Sequence, residues 1–151
     1  MITILAVGKK HEEWVQSGIA RYEQRLRKPY DVQWELLPHS SLAGDAARNE
    51  ESSRLVRRIA PDSLVVLLDE RGEKLSTPQF GQLLSTPLHH SRPTILIIGG
   101  AYGVNDAVHQ RADHIVSLSG MVFPHQLVRL IVIEQLYRVQ SISTGSKYHH
   151  E

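Results

Sequence analysis

An α/β fold with a mostly parallel sheet is predicted by three features of the sequence. Short apolar runs alternate with amphipathic stretches along the whole chain. Two runs, Ser63–Asp69 ("SLVVLLD") and Thr94–Gly100 ("TILIIGG"), are continuous, as in strands buried on both faces. Glycine closes the runs Ile2–Gly8 and Thr94–Gly100 just before helical patterns begin.

The elements follow in order. "ITILAVG" (Ile2–Gly8) reads as a buried strand. Val15, Ile19, Tyr22 and Leu26 then recur at helical spacing among Arg21, Arg25, Arg27 and Lys28. "VQWELL" (Val32–Leu37) alternates like a second strand, and Pro38–Gly44 reads as a flexible loop. Asp45–Ala60 is a helix with Asp45 as N-cap and Leu55, Val56 and Ile59 on its apolar side. Ser63–Asp69 is the third strand and "ERGEK" a turn. Thr77 and Pro78 read as N-cap and first residue of the next helix. Thr94–Gly100 is the fourth strand, Asn105-Asp106 opens a helix, and "HIVSLS" is the fifth strand. The final helix runs from near Pro124 to about Gln140. Its apolar residues lie nearly all round, so a homodimer with this helix in the interface is expected. Glu134 and Arg138, four apart, are expected to pair.

Composition removes several function classes. The 151 residues suit a single domain, 1–151, with a core that needs no staples. No cysteine is present, which excludes disulfides, thiolate metal sites and a cysteine nucleophile, and suits a reducing cytoplasm. No apolar run approaches the ~20 residues of a membrane span. The opening "MITILAVGKK" reads as a strand and not as a signal peptide. A net charge of +1 makes no global electrostatic case for nucleic acid, so RNA contact would come from local patches.

Four stretches carry candidate chemistry. "IIGGAYG" sets Gly99, Gly100 and Gly103 where strand gives way to helix, which suits either backbone approach to a ligand or a tight turn. It matches neither the dinucleotide nor the Walker pattern. Asp69 and Glu70 follow a strand end, where they either orient a ribose or are solvated. Met121, Val122 and Phe123 are apolar in an expected loop, consistent with a flat ligand or with packing under the next helix. His125 and Arg129 share one helix face near its start, where a cation gains nothing from the dipole; Arg129 therefore serves a carboxylate, a phosphate or solvent. The ending "KYHHE" reads, on composition, as a frayed tail; adjacent His149 and His150 fit a tag or a metal site poorly. These residues alone support an α/β, dimeric, small-ligand-binding protein.

A resemblance adds to this. "AVGKKHEEWVQSGIARYEQRL", "LLDERGEKLS" and the block from Gly99 to His149, with "FPHQLVRLIVIEQLYR" followed by "YHH", resemble the ribosomal RNA large-subunit methyltransferase H family, small SPOUT methyltransferases. The resemblance covers nearly the whole chain. It implies a Rossmann-like sheet with a C-terminal trefoil knot, a homodimer and S-adenosylmethionine as methyl donor, with no metal. The implied reaction methylates N3 of a pseudouridine in large-subunit rRNA on the assembled ribosome. The implied cofactor site comprises Leu67 and Leu68; Gly99, Gly100 and Gly103; and Leu118, Ser119, Gly120, Met121, Val122 and Phe123. On the acceptor side it implies Arg138 as anion or phosphate partner, Tyr148 against the flipped base, and His149 as base or proton relay. His150 and Glu151 take no role. The competing readings are a non-catalytic ribosome-assembly factor, a nucleotide-dependent oxidoreductase and a tRNA methyltransferase.

Overall fold

A computed structural model describes residues 1–150. Five strands, β1 (Ile2–Val7), β2 (Val32–Leu37), β3 (Leu64–Lys74), β4 (Thr94–Ile98) and β5 (His114–Ser117), form one sheet in the order β2-β1-β4-β3-β5. Every pairing is parallel. Ile2 stands opposite both Val32 and Thr94, and Leu64 opposite Thr94, so these four strands start level. Their carboxyl ends therefore form one edge, where open parallel sheets bind ligands.

The helices are α1 (Glu13–Glu23), α2 (Gly44–Val56), α3 (Thr77–His89), α4 (Asp106–Arg111) and α5 (His125–Ser143). Alternation along the strands divides the core in two. Ile2, Ile4, Val66, Leu96 and Ile98 face α1, α3 and α5. Leu5, Val7, Val65, Leu67, Ile95 and Ile97 face α2 and α4. With both faces covered, the central strands have no polar side to show, which is why their sequences do not alternate.

Three local expectations change. "ERGEK" is not a turn after β3 but part of it: Leu68 and Glu73 both stand opposite Val116 of β5, so Asp69–Gly72 bulges out of the ladder. Gly72 permits this because a Cβ there would come within 2.6 Å of the Ile115 backbone. The N-cap of α3 is Ser76 and not Thr77: its hydroxyl accepts from Gln79 N–H while the Gln79 side chain accepts from Ser76 N–H. At α2, Ala43 occupies the cap position without a side-chain bond, and Asp45 instead pairs with Arg48 in the first turn. The loop after β2 is tied at its start, where Pro38 O accepts from Arg54 and Ser40 N–H donates to Glu51.

The last helix continues to Ser143. Within the chain α1 and α3 flank it while β4 lies beneath, burying Val132, Ile133, Leu136 and Val139. Gly18 of α1 sits against Leu130, where a Cβ would approach to 2.7 Å. Much of the apolar circumference is thus covered by the chain itself.

Candidate active site

Level strand ends make a ledge, and three loops wall it into a cleft of about 830 Å3. From β3 come Leu68 and the bulge Asp69–Arg71; after β4 come Gly99, Gly100 and Gly103; after β5 come Leu118, Ser119, Met121, Val122 and Phe123. Arg48, Tyr102, His125 and Val128 complete the wall.

The glycines are used for their backbone. Gly103 N–H donates to Gly100 O at 3.0 Å and Gly103 has φ of +71°, so the chain folds back tightly at the ledge. A Cβ on Gly100 would sit 3.1 Å from both Val7 and the Glu51 carboxylate, tighter than an ordinary packing contact. The loop after β5 is shaped by its serines: Ser117 Oγ donates to Ser119 O at 2.8 Å, and Met121 N–H donates to Ser119 Oγ at 3.0 Å. Its apolar tip stays uncovered, with Met121 74% and Val122 76% exposed.

Two residues expected at the cofactor stand back from the cleft. Leu67 points to the opposite face of the sheet, buried in the α2–α4 core. Gly120 lies against Lys74. Asp69 follows neither of its expected uses. Its carboxylate accepts from Arg71 N–H, Nε and Nη2 at 2.9, 3.1 and 3.0 Å, with His109 Nε2 at 3.3 Å. The Arg71 bonds hold its carboxyl below the usual range, and it serves to brace the bulge.

One turn into α5, Arg129 is fully buried. Its guanidinium serves none of the three partners anticipated for it. It donates instead to the carbonyls of Val7 (2.7 Å), Gly8 (3.3 Å) and Lys10 (3.0 Å), tying the end of β1 to α5. His11 Nδ1 lies 3.3 Å from Nη1, and Gln126 spans from Lys10 O to Glu12 N–H. Burial lowers the pKa of His11, and Arg129 lowers it further.

At the other end of the helix the expected acceptor-side residues gather. Glu134 Oε1 accepts from Arg138 Nε at 2.5 Å and from the Tyr148 hydroxyl at 3.3 Å. Arg138 lies over the Tyr148 ring, 5.0 Å from its centre, and Tyr137 meets that ring edge-on at 4.6 Å. Burial, then Tyr22 and Glu134, push the Tyr148 phenol up to about 12, so it stays protonated. Both ring nitrogens of His149 are shielded and have no partner among the described residues. His150 is exposed, and Glu151 lies outside the described residues.

The chain therefore brings most of the residues expected at the cofactor into one cleft and those expected at the acceptor into one cluster, but not the two together. From Val128 in the cleft wall to Arg138 is about 15 Å of helix. The sequence alone did not single out Arg48 or Tyr102 for the cleft, nor Glu134 and Tyr137 as the seat of Tyr148; they come from different elements, and no motif joins them.

A family model described as "Predicted SPOUT methyltransferase" matches residues 1–149. The chain is similar to proteins named ribosomal RNA large subunit methyltransferase H. That of Geobacter metallireducens is 38% identical, covering 99% of this chain and 98% of the relative. That of Geobacter sulfurreducens is 39% identical, covering 99% of each. Among solved structures, a putative methylase family protein from Neisseria gonorrhoeae aligns with a TM-score of 0.56 at 10% identity, over 99% of this chain and 85% of that one. A TrmH/SpoU tRNA modifying enzyme of A. aeolicus aligns with a TM-score of 0.51 at 16% identity, over 95% and 77%. Those two share the fold. A family match across residues 1–149 and near-complete relatives at this identity agree: the chain belongs to the ribosomal RNA large subunit methyltransferase H family of SPOUT methyltransferases.

Proposed function

We propose that this protein is an S-adenosylmethionine-dependent methyltransferase of large-subunit ribosomal RNA. It acts on N3 of a pseudouridine in the assembled ribosome, as a homodimer of single, C-terminally knotted domains. The observation that carries the proposal is the cleft at the ends of β3, β4 and β5. Its volume of about 830 Å3 falls in the range of roughly 300–1,000 Å3 usual for cofactor pockets. Leu68, Ile98, Leu118, Val122 and Phe123 offer apolar walls for an adenine ring. The turn from Gly99 to Gly103 brings backbone close enough to meet a ribose or the methionyl part. When bound, S-adenosylmethionine supplies an electrophilic methyl group.

Among the cofactor-side residues, Gly99, Gly100, Gly103, Leu68 and the Leu118–Phe123 loop hold the donor, with Leu67 behind the wall and Gly120 shaping the loop. Arg138, Tyr148 and His149 meet the acceptor nucleotide. The shielded nitrogens of His149 lack partners, which an incoming base can supply. About 15 Å of helix separates these two groups within one chain. A second copy therefore brings its own C-terminal residues to the cleft, and the half-covered side of α5 with Leu127 and Ile131 offers it a contact surface. The assembly-factor and oxidoreductase readings have no comparable support, since cleft and tail are both present.

Mass spectrometry of large-subunit rRNA from cells lacking the protein tests the reaction. Loss of one methylated pseudouridine is expected; a fully retained modification would sink the assignment. Activity on assembled ribosomes should far exceed activity on free rRNA.

A further inference from the structure

We infer that His125 is the group that accepts the acceptor's proton during methyl transfer, an inference that rests on the methyltransferase reading above. Alkylation of an imide nitrogen requires a base, and the base must reach the place where the methyl group waits. The ionisable residues that line the cleft are Arg48, Asp69, Glu70, Arg71, Tyr102 and His125. Tyr102 is a half-exposed phenol, and phenols carry their own proton at neutral pH. Arginines do not accept protons here. Asp69 is occupied by Arg71 and His109. Glu70 is exposed on the bulge, where a carboxylate is a weak base. That leaves His125, whose ring makes no hydrogen bond among the described residues and stands at the first position of α5, one turn before Val128 in the same wall.

The surroundings keep this imidazole in its basic form. Burial pushes its pKa below 6.5, and the Arg129 guanidinium one turn along the helix, then His39, lower it further. Glu12, before α1, and Glu51, on α2, act in the opposite direction without reversing it. His125 is thus neutral at pH 7 and takes a proton only when the reaction delivers one. In the step, the imide proton passes to a His125 ring nitrogen while the acceptor nitrogen's electron pair closes on the methyl carbon and the carbon–sulfur pair returns to sulfur. Next to Arg129 the resulting imidazolium does not persist. An exit lies beside it: His39, with 55% of its side chain exposed, has its ring centre 6.1 Å away and its Nδ1 3.8 Å from Glu51 Oε2. His149, at the far end of α5, then positions the acceptor and does not deprotonate it.

The test measures kcat on assembled ribosomes between about pH 5 and 8 for the wild type, H125Q and H149Q. Affinity for S-adenosylmethionine is measured alongside, and the His125 and His149 rings are titrated by NMR in the cofactor-loaded wild type. An acid limb in the wild-type profile should share its midpoint with the His125 titration. H125Q should bind the cofactor within about threefold of wild type, lose about 100-fold or more in kcat and lose the limb. H149Q should keep the limb, and added imidazole should partly restore H125A. The inference is overturned if the limb follows His149, or if H125Q keeps kcat within about threefold. Should H125Q lose cofactor binding, the wild-type comparison of limb and ring titration decides by itself. A wild type inactive on ribosomes overturns the methyltransferase reading and this inference together; an active wild type with an unaffected H125Q overturns this inference alone.

Discussion

The two ends of α5 treat an arginine in opposite ways. Arg129 is wholly buried, bonds to three backbone carbonyls and has no carboxylate in contact among the described residues. Two and a half turns later, Arg138 keeps 31% of its side chain exposed and pairs with Glu134. Both terminal nitrogens of this buried guanidinium are bonded to backbone while its Nε has no partner among the described residues, and breaking those bonds would cost several kcal/mol, so the first end is fixed in place. A partly exposed pair contributes only about 0–1 kcal/mol, so the second end is free to exchange partners. One helix thus joins a rigid wall of the cleft to an adaptable cluster around Tyr148, the proposed acceptor side.

The largest expected effect tests that contrast directly. Arg129→Ala strips bonds from the carbonyls of Val7, Gly8 and Lys10 and leaves a cavity, and should lower unfolding free energy by about 3–5 kcal/mol. Arg138→Ala should lower it by less than about 1 kcal/mol. Urea denaturation of both variants checks this; equal losses would erase the distinction.

A chain ending after Gly145 should fold and bind S-adenosylmethionine as wild type does, yet lose about 100-fold in turnover. Mixed in equal amounts with a chain whose cleft is filled by Leu118→Trp, it should recover about a quarter of wild-type activity, because half the dimers then hold one complete site. No recovery would show that each chain supplies its own acceptor side.

The smallest effect is in pH, and the two ends should respond at opposite extremes. His11, beside Arg129, has a folded pKa below its unfolded value of 6.5. Its contribution is complete above that value and is lost as pH falls through the folded pKa. Tyr148 is raised from 10.0 to about 12, so its contribution is complete below 10.0 and is lost as pH rises through about 12. Unfolding free energy followed against pH should show His11→Gln flattening the acid side and Tyr148→Phe the alkaline side. A Tyr148→Phe profile identical to wild type above pH 10.0 would argue against a raised phenol in this half-buried seat.

Much of this architecture was legible from residue patterns. All five strands lie where continuous or alternating apolar runs predict them, and the cleft residues after β4 and β5 were marked by glycines and by apolar side chains in a loop. The bulge was not legible. Asp69–Gly72 has turn-like composition, and only the pairing of both Leu68 and Glu73 with Val116 makes it part of a strand. Leu67 was placed at the cofactor for its position in the chain, yet side chains alternate across a sheet and it falls on the other face.

By itself, then, the sequence determined the succession of strands and helices, the parallel class of the sheet and the loops that wall the cleft. Those follow from local periodicity and from backbone freedom at glycine. Tertiary structure alone decided what Arg129 holds, which cleft group remains free to accept a proton and how far "YHH" lies from the cleft. These depend on residues distant in the chain, such as Val7 with Arg129 and Glu134 with Tyr148. Burial and partner geometry, which no local pattern encodes, decide whether such a side chain braces the fold or meets a substrate.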